Sequence, residues 1–169
     1  MPVDAPCLTA LEQAQPLRRA RCNPTAMNFI EFFLSPEAIA RRRIAQAART
    51  GAESLNLSCM KLRSLPPEIG TLTKLHILHL WHNCLTCLPP QIGRCAQLEE
   101  LYLSDNQLAC LPDALSHLTH LRRLYLHGNP KLHLPDKTLG RRWEAVMSSG
   151  CASAPPREIL EHYFHRHSP

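Results

Sequence analysis

Aromatic residues and long apolar runs are what this 169-residue sequence has least of. Phe, Trp and Tyr make up only 5% of it, whereas hydrophobic residues of all types make up 44%. The core must therefore be built from aliphatic side chains. The longest apolar stretch near the start, residues 29–34, is interrupted by Glu31 and is far shorter than the ~18 residues that a membrane-spanning helix needs. We accordingly expect no membrane partner.

Two sequence signals are also missing. No secretory signal precedes the eight cysteines, so we expect a cytoplasmic protein with free thiols and no disulfide framework. No Gly-x-x-x-x-Gly-Lys-Ser/Thr loop occurs, which argues against nucleotide binding. We expect no cofactor.

The net charge of +5 invites a nucleic-acid hypothesis, but the excess arginine lies outside the central part of the chain. The run Arg41–Arg43 has no aromatic residues interleaved with it, which favours a solvated helix face. We expect no nucleic-acid partner. Binding through this basic helix stays as an alternative that a salt-dependent binding assay would expose.

An internal repeat of 23 residues organises the chain from Leu55 to Pro135. Leu55, Leu78, Leu101 and Leu124 are equally spaced, and the second and third copies both read L-x-x-L-x-L-x-x-N-x-L. This is the leucine-rich repeat pattern. In each copy, two leucines at a spacing of two predict a short strand with both side chains inward. We expect the asparagine at the end of the pattern to hydrogen-bond buried turn backbone in the second to fourth copies, while Met60 takes that position in the first.

The repeat predicts an α/β fold: a right-handed leucine-rich repeat solenoid, forming a short horseshoe with helical caps at both ends. Ser35-Pro36-Glu37 is a helix-entry signature, and the helix should end at Gly51. A short helix near 140–149 and a second one from Pro156 should follow the repeats. The predicted division is a mostly disordered segment 1–34, a cap helix 35–51, four repeats over 52–138, and a C-terminal cap segment 139–169.

Two levels of family resemblance follow from these residues. The repeats resemble the 23-residue Leu-Pro class of Ras-suppressor-like proteins. Segments 40–44 and 51–58 resemble the cap and first strand of bacterial Roco-type proteins. In those proteins a segment joins the repeats to a Ras-like GTPase domain. The end of this chain resembles that segment at Gly128-Asn129-Pro130, Leu134-Pro135, Leu139-Gly140, Trp143-Glu144 and Pro156 to Phe164. The resemblance implies a recognition half without the GTPase domain.

Strand residues that lie between the leucines should face the concave side of the horseshoe. Tyr, Trp and Arg are the residue types that most often anchor protein interfaces. The predicted partner-binding set is His79, Trp81, His82, Glu100, Tyr102, Asp105, Arg123, Tyr125 and His127. An ordinary polar inner face is the alternative.

Cysteine and histidine residues suggest further chemistry. Cys59, His82 and Asp105 form one column on adjacent strands, which leaves a weak metal or thiol site as an alternative. Cys84-x-x-Cys87 lacks a partner motif, and Cys87 and Cys110 are expected to be neighbouring surface thiols. Cys95 aligns with Leu72 and Leu118, so we expect it in the core.

Taken together, these patterns predict a non-enzymatic, monomeric protein-interaction module that binds a protein or peptide partner. A stand-alone or split recognition half of a Roco-type signalling system, with a Ras-like GTPase as the partner, is the alternative.

Overall fold

The computed structural model describes residues 34–135, 139 and 155–167. Helix α1 spans Pro36–Thr50 and helix α2 spans Pro156–His167. Between them lie four three-residue strands, namely β1 (Ser54–Asn56), β2 (Ile77–His79), β3 (Glu100–Tyr102) and β4 (Arg123–Tyr125). The disorder predicted for residues 1–33 and the short helix predicted near 140–149 fall outside the described residues.

The strands form one parallel sheet in the order β1-β2-β3-β4. Leu55 pairs with Leu78, Leu78 with Leu101, and Leu101 with Leu124, so each strand is offset from the next by one repeat. The 23-residue register is therefore confirmed. The side chains of these leucines, and of those two residues further on, are buried. The predicted α/β repeat fold with parallel strands is likewise confirmed.

A 3₁₀ helix follows the Leu-Pro step of each of the first three repeats. These helices span Pro67–Thr71, Pro90–Arg94 and Asp113–His117, and a shorter one spans Pro130–Leu132. Ile69, Ile92 and Leu115 are fully buried, as the sequence predicts. Each repeat thus closes a single aliphatic layer between its strand and its outer 3₁₀ helix.

The constant 23-residue register also stacks three buried asparagines, which we call the amide column: Asn83, Asn106 and Asn129. The Asn106 Oδ1 accepts from the Leu85 N–H at 3.1 Å, and its Nδ2 donates to the carbonyl of Leu80 at 2.9 Å. Asn83 and Asn129 repeat this arrangement in their own turns. Each amide thus pairs backbone groups of its own and the preceding repeat, which confirms the predicted role.

Helix α1 packs its apolar side against the first repeat. Ser35 accepts from the Ala38 N–H at 3.2 Å, and Gly51 ends the helix with φ +64°. The buried side chains are those of Ile39, Ala40, Ile44 and Ala47. Glu37 accepts from the Arg63 N–H at 3.2 Å, and Arg41 lies 3.6 Å from Glu68 on the first outer 3₁₀ helix.

Helix α2 packs against the third repeat. Ile159, Leu160 and Tyr163 are buried on one side of the helix, as predicted. The Tyr163 hydroxyl accepts a buried hydrogen bond from the Leu111 N–H at 3.1 Å. Among the described residues, no helix has the length and hydropathy needed to cross a membrane.

Candidate protein-binding face

Side chains that alternate with the inward leucines form what we call the polar face of the sheet. Of the predicted binding residues, His79, Trp81, Glu100, Tyr102 and Asp105 are half-buried, while His82 and Arg123 are exposed. Tyr125 and His127 are only 3% and 5% exposed. These two residues were expected on an open surface, and the structure corrects that expectation: they are buried.

Three rings stack across the polar face, one from each of β2, β3 and β4. The His79 and Tyr102 ring centroids are 4.6 Å apart with planes at 24°, and those of Tyr102 and Tyr125 are 4.8 Å apart at 16°. These spacings match the ~4.8 Å between neighbouring strands. The register itself therefore positions this ring column, made of His79, Tyr102 and Tyr125.

Glu100 fixes the centre of the ring column. Its Oε2 accepts from the Tyr102 hydroxyl at 2.7 Å, and its Oε1 accepts from Arg123 Nη1 at 2.6 Å. Burial and the Glu100 carboxylate raise the pKa of Tyr102, so its hydroxyl stays protonated. The Glu100 charge raises the pKa of Arg123. The three side chains are thus held in one arrangement before any partner binds.

Burial acts on the histidine of the ring column in the opposite sense. Desolvation lowers the pKa of His79, and the charge of Glu100 opposes that shift only in part. At neutral pH the ring is therefore uncharged, and the column presents neutral rings beside one ion pair.

Trp81 extends the candidate site just beyond the end of β2. Its ring is half-buried and lies 5.3 Å from that of His82, with the two planes at 53°. The carbonyl of Trp81 accepts from the Cys59 N–H at 3.1 Å, so the ladder between repeats continues past the strand. Ile77 lies half-buried on the same face, in register with Glu100, although it is not in the predicted binding set. The two-residue alternation with His79 already places Ile77 on the concave side in the sequence.

A backbone requirement explains the column Cys59, His82 and Asp105. All three have positive φ, at 60°, 54° and 56°, and Gly128 continues the column at 74°. Asp, His and Gly are enriched in this left-handed conformation. A Cβ at Gly128 would lie 2.9 Å from the Asp105 nitrogen, so only glycine fits there.

This column forms no metal site among the described residues, while the thiol alternative stays a prediction. His82 Nδ1 lies 3.7 Å from Asp105 Oδ2, with the two side chains 57% and 39% exposed. Within the part of the chain that the structure describes, no three His, Cys, Asp or Glu side chains come together to hold a metal ion. What the three residues share is the left-handed turn conformation.

Cys95 is a core residue, as predicted. Its side chain is fully buried and its Sγ donates to the Ile69 carbonyl at 3.4 Å. Burial raises the pKa of the Cys95 thiol to about 11, so it is unreactive. Cys87 and Cys110 are exposed.

Parallel strands in a 23-residue register, buried asparagines and outer 3₁₀ helices together define an α/β repeat protein. The family model described as "Leucine rich repeat" matches residues 50–108 and 74–130. This region of the chain therefore consists of leucine-rich repeats.

Among solved structures, this chain is similar to a leucine-rich repeat protein of Leptospira interrogans. The two are 43% identical over 44% of this chain, with a TM-score of 0.44. The matched part spans 19% of the length of the Leptospira protein. A comparison with curated proteins gave no match.

Proposed function

We propose that this protein is a non-enzymatic interaction module that binds a protein or peptide partner through the polar face of its repeats. The observation that carries the proposal is the ring column held in place by Glu100. Pre-organised aromatic and arginine side chains bury much area with little loss of rotamer freedom, which is how interface anchors contribute affinity. Leucine-rich repeat proteins typically bind other proteins and are typically not enzymes.

The size of the polar face favours a narrow partner. Four strands cover three gaps of ~4.8 Å, and about five residues at ~3.3 Å give a similar length, so the face measures roughly 200–250 Å². A standard interface buries about 800 Å² on each partner. The burial of Tyr125 and His127 narrows the accessible part further. We therefore propose an extended peptide segment as the ligand, lying across Trp81, His79 and Tyr102.

We further propose that the repeats form a short right-handed horseshoe whose ends are closed by α1 and α2. The buried side of α1 and the hydrogen bond from Leu111 to Tyr163 support these two cap assignments. Repeats at the ends of the stack need such covers because their aliphatic layer would otherwise face water. Helix α2 lies on the third repeat, and in the part of the chain that the structure describes the fourth has only the short 3₁₀ helix Pro130–Leu132. A cytoplasmic monomer is part of this proposal. Within the described residues the cysteines are joined by no disulfide, which suits a reducing compartment.

A Ras-like GTPase is the partner that the Roco-type resemblance suggests. Its support is the sequence of Gly128-Asn129-Pro130 and of the helix from Pro156 to Phe164. A direct binding assay with Ras-like GTPases of the source organism, loaded with GDP or with a GTP analogue, tests this narrower proposal.

The test of the main proposal is selection from a displayed random peptide library. Peptides that bind the wild-type protein are measured against Trp81→Ala, against Tyr102→Ala, and against a control, Gln97→Ala with Gln107→Ala, at exposed positions. We expect each aromatic substitution to weaken binding about tenfold or more, as is typical of an interface anchor, and the control to leave it unchanged. Circular dichroism checks that every variant is folded. Selected peptides that bind the folded aromatic variants as tightly as the wild type would place the binding site elsewhere.

A further inference from the structure

Cys87 and Cys110 occupy the same position in the second and third repeats, 23 residues apart. The register that pairs Leu78 with Leu101 in the sheet continues into this part of the outer turn. The Ala109 N–H donates to the Thr86 carbonyl at 2.9 Å. The residues just before the two cysteines are therefore joined backbone to backbone.

Each of the two cysteines has a buried leucine before it and another after it in the sequence. Leu85 and Leu88 flank Cys87, and their counterparts flank Cys110; all four leucines are at most 5% exposed. The two cysteines are exposed. Because the flanking leucines fix each turn against the core, the two thiols must point outward on the same side of the repeat stack.

This arrangement is compatible with the spacing that a disulfide needs. Neighbouring backbones in a parallel ladder lie about 4.8 Å apart, and disulfide-linked residues have Cα atoms about 4.4–6.8 Å apart. The backbone hydrogen bond from Ala109 to Thr86 shows that the two chains run side by side just before the cysteines, so their Cα atoms are expected to lie in this range. Among the cysteines that the structure describes, Cys87 and Cys110 are the only two related in this way, since one repeat after Cys59, Cys84 and Cys95 come His82, Gln107 and Leu118.

We propose that Cys87 and Cys110 form an oxidative modification site, at which a peroxide converts the two thiols into a disulfide between the second and third repeats. One thiolate attacks hydrogen peroxide, becomes a sulfenic acid and releases one water molecule. The second thiol attacks the sulfenic sulfur, forms the S–S bond and releases a second water molecule. Two thiols are oxidised by two electrons in total, and the peroxide is reduced to two waters. A dithiol reductant reverses the link.

The link has a direct structural consequence. It closes a loop that contains β3 and ties together the repeats that carry His79 and Tyr102 of the ring column. A covalent link of this kind restricts the unfolded chain more than the folded one. Oxidation should therefore raise the melting temperature, and reduction should restore the original value.

The test treats the full-length protein with dilute hydrogen peroxide, before and after addition of dithiothreitol. The variants are Cys87→Ser, Cys110→Ser and, as the matched control, Cys84→Ser. Intact mass, thiol counting and trypsin digestion are the measurements. Cleavage after Lys74, Arg94 and Arg122 places Cys87 in fragment 75–94 and Cys110 in fragment 95–122.

In the wild type and in Cys84→Ser we expect a mass loss of about 2 Da, two fewer thiols, linked fragments 75–94 and 95–122, and a higher melting temperature that dithiothreitol reverses. Cys87→Ser and Cys110→Ser should show none of these changes. Three results would each overturn the proposal: a link inside fragment 75–94, separate sulfinic acids at the two cysteines, or a covalent dimer as the first product.

Discussion

Two columns of side chains run through the repeats side by side, and they differ in what holds them. The amide column consists of a buried asparagine in each of three successive repeats, and these asparagines hydrogen-bond to backbone groups. The position of the ring column is occupied by different residues in successive repeats: Asn56 in the first, then His79, Tyr102 and Tyr125. The hydroxyl of Tyr102, the central ring, donates a hydrogen bond to the side chain of Glu100.

The difference separates what the fold requires from what it permits. Without the amides of the second to fourth repeats, buried N–H and carbonyl groups of the turns would be unpaired. Within the part of the chain that the structure describes, the hydrogen bond of the ring column goes to a side chain, and the first repeat has Asn56 in place of a ring. Side chains that form no hydrogen bond needed by the backbone can vary without loss of the fold, so such positions are available for binding.

Breaking the amide column should have the largest effect on stability. Asn106→Ala leaves the buried Leu85 N–H without its acceptor. It also removes one of the two amide donors from each of the Leu80 and Leu103 carbonyls, which keep Asn83 and Asn129 respectively. We expect the free energy of unfolding to fall by about 1–3 kcal/mol, measured by urea denaturation followed by circular dichroism. The control is Gln107→Ala at the exposed neighbouring position, which should change it by less than about 0.5 kcal/mol. Equal effects of the two substitutions would contradict the structural role of the amide column.

Removing one atom from the ring column should have a smaller effect. Tyr102→Phe keeps the ring between His79 and Tyr125 but deletes its hydrogen bond to Glu100. We expect a loss of about 0.5–1.5 kcal/mol in the free energy of unfolding. In a double-mutant cycle with Glu100→Ala, the two losses should be less than additive, because both changes remove the same hydrogen bond. Full additivity would show that the hydroxyl and the carboxylate do not interact.

The repeat period predicted the amide column because one leucine position fixes all the others. It placed Leu78, Asn106 and Ile92 correctly, and it aligned Cys95 with core positions. It also predicted which residues share the polar face. Helix α1 was predictable as well, since Ser35, Pro36 and Gly51 each have a local role at a helix end.

Periodicity could not predict the state of each side chain on that face. The pattern assigns Tyr125 and His127 to the same side as Tyr102 but gives no information on their burial. Similarly, Cys59, His82 and Asp105 form a column in the sequence, yet only the backbone angles reveal a shared left-handed turn. Glu100 accepts from both the Tyr102 hydroxyl and Arg123, and this depends on side-chain rotamers that the spacing of residues does not determine.

The smallest predicted effect is a pH dependence that belongs to the ring column and not to the amide column. Burial lowers the pKa of His79 below its ordinary value of 6.5, with Glu100 opposing that shift. In the unfolded chain the imidazole takes up a proton near pH 6.5, whereas in the folded protein it does so only at lower pH. At this position the unfolded state therefore binds more protons in this window, so the contribution of His79 to the free energy of unfolding decreases as pH falls below 6.5. His79→Gln should reduce that decrease, as measured by urea denaturation at several values between about pH 7.5 and about 5.5. The sequence contains ten histidines, so a control is needed that replaces a different one. The matched control is His117→Gln on the outer 3₁₀ helix of the third repeat, which should follow the wild-type curve. A His79→Gln curve parallel to that of the wild type would mean that the stacked imidazole titrates alike in the folded and unfolded chains.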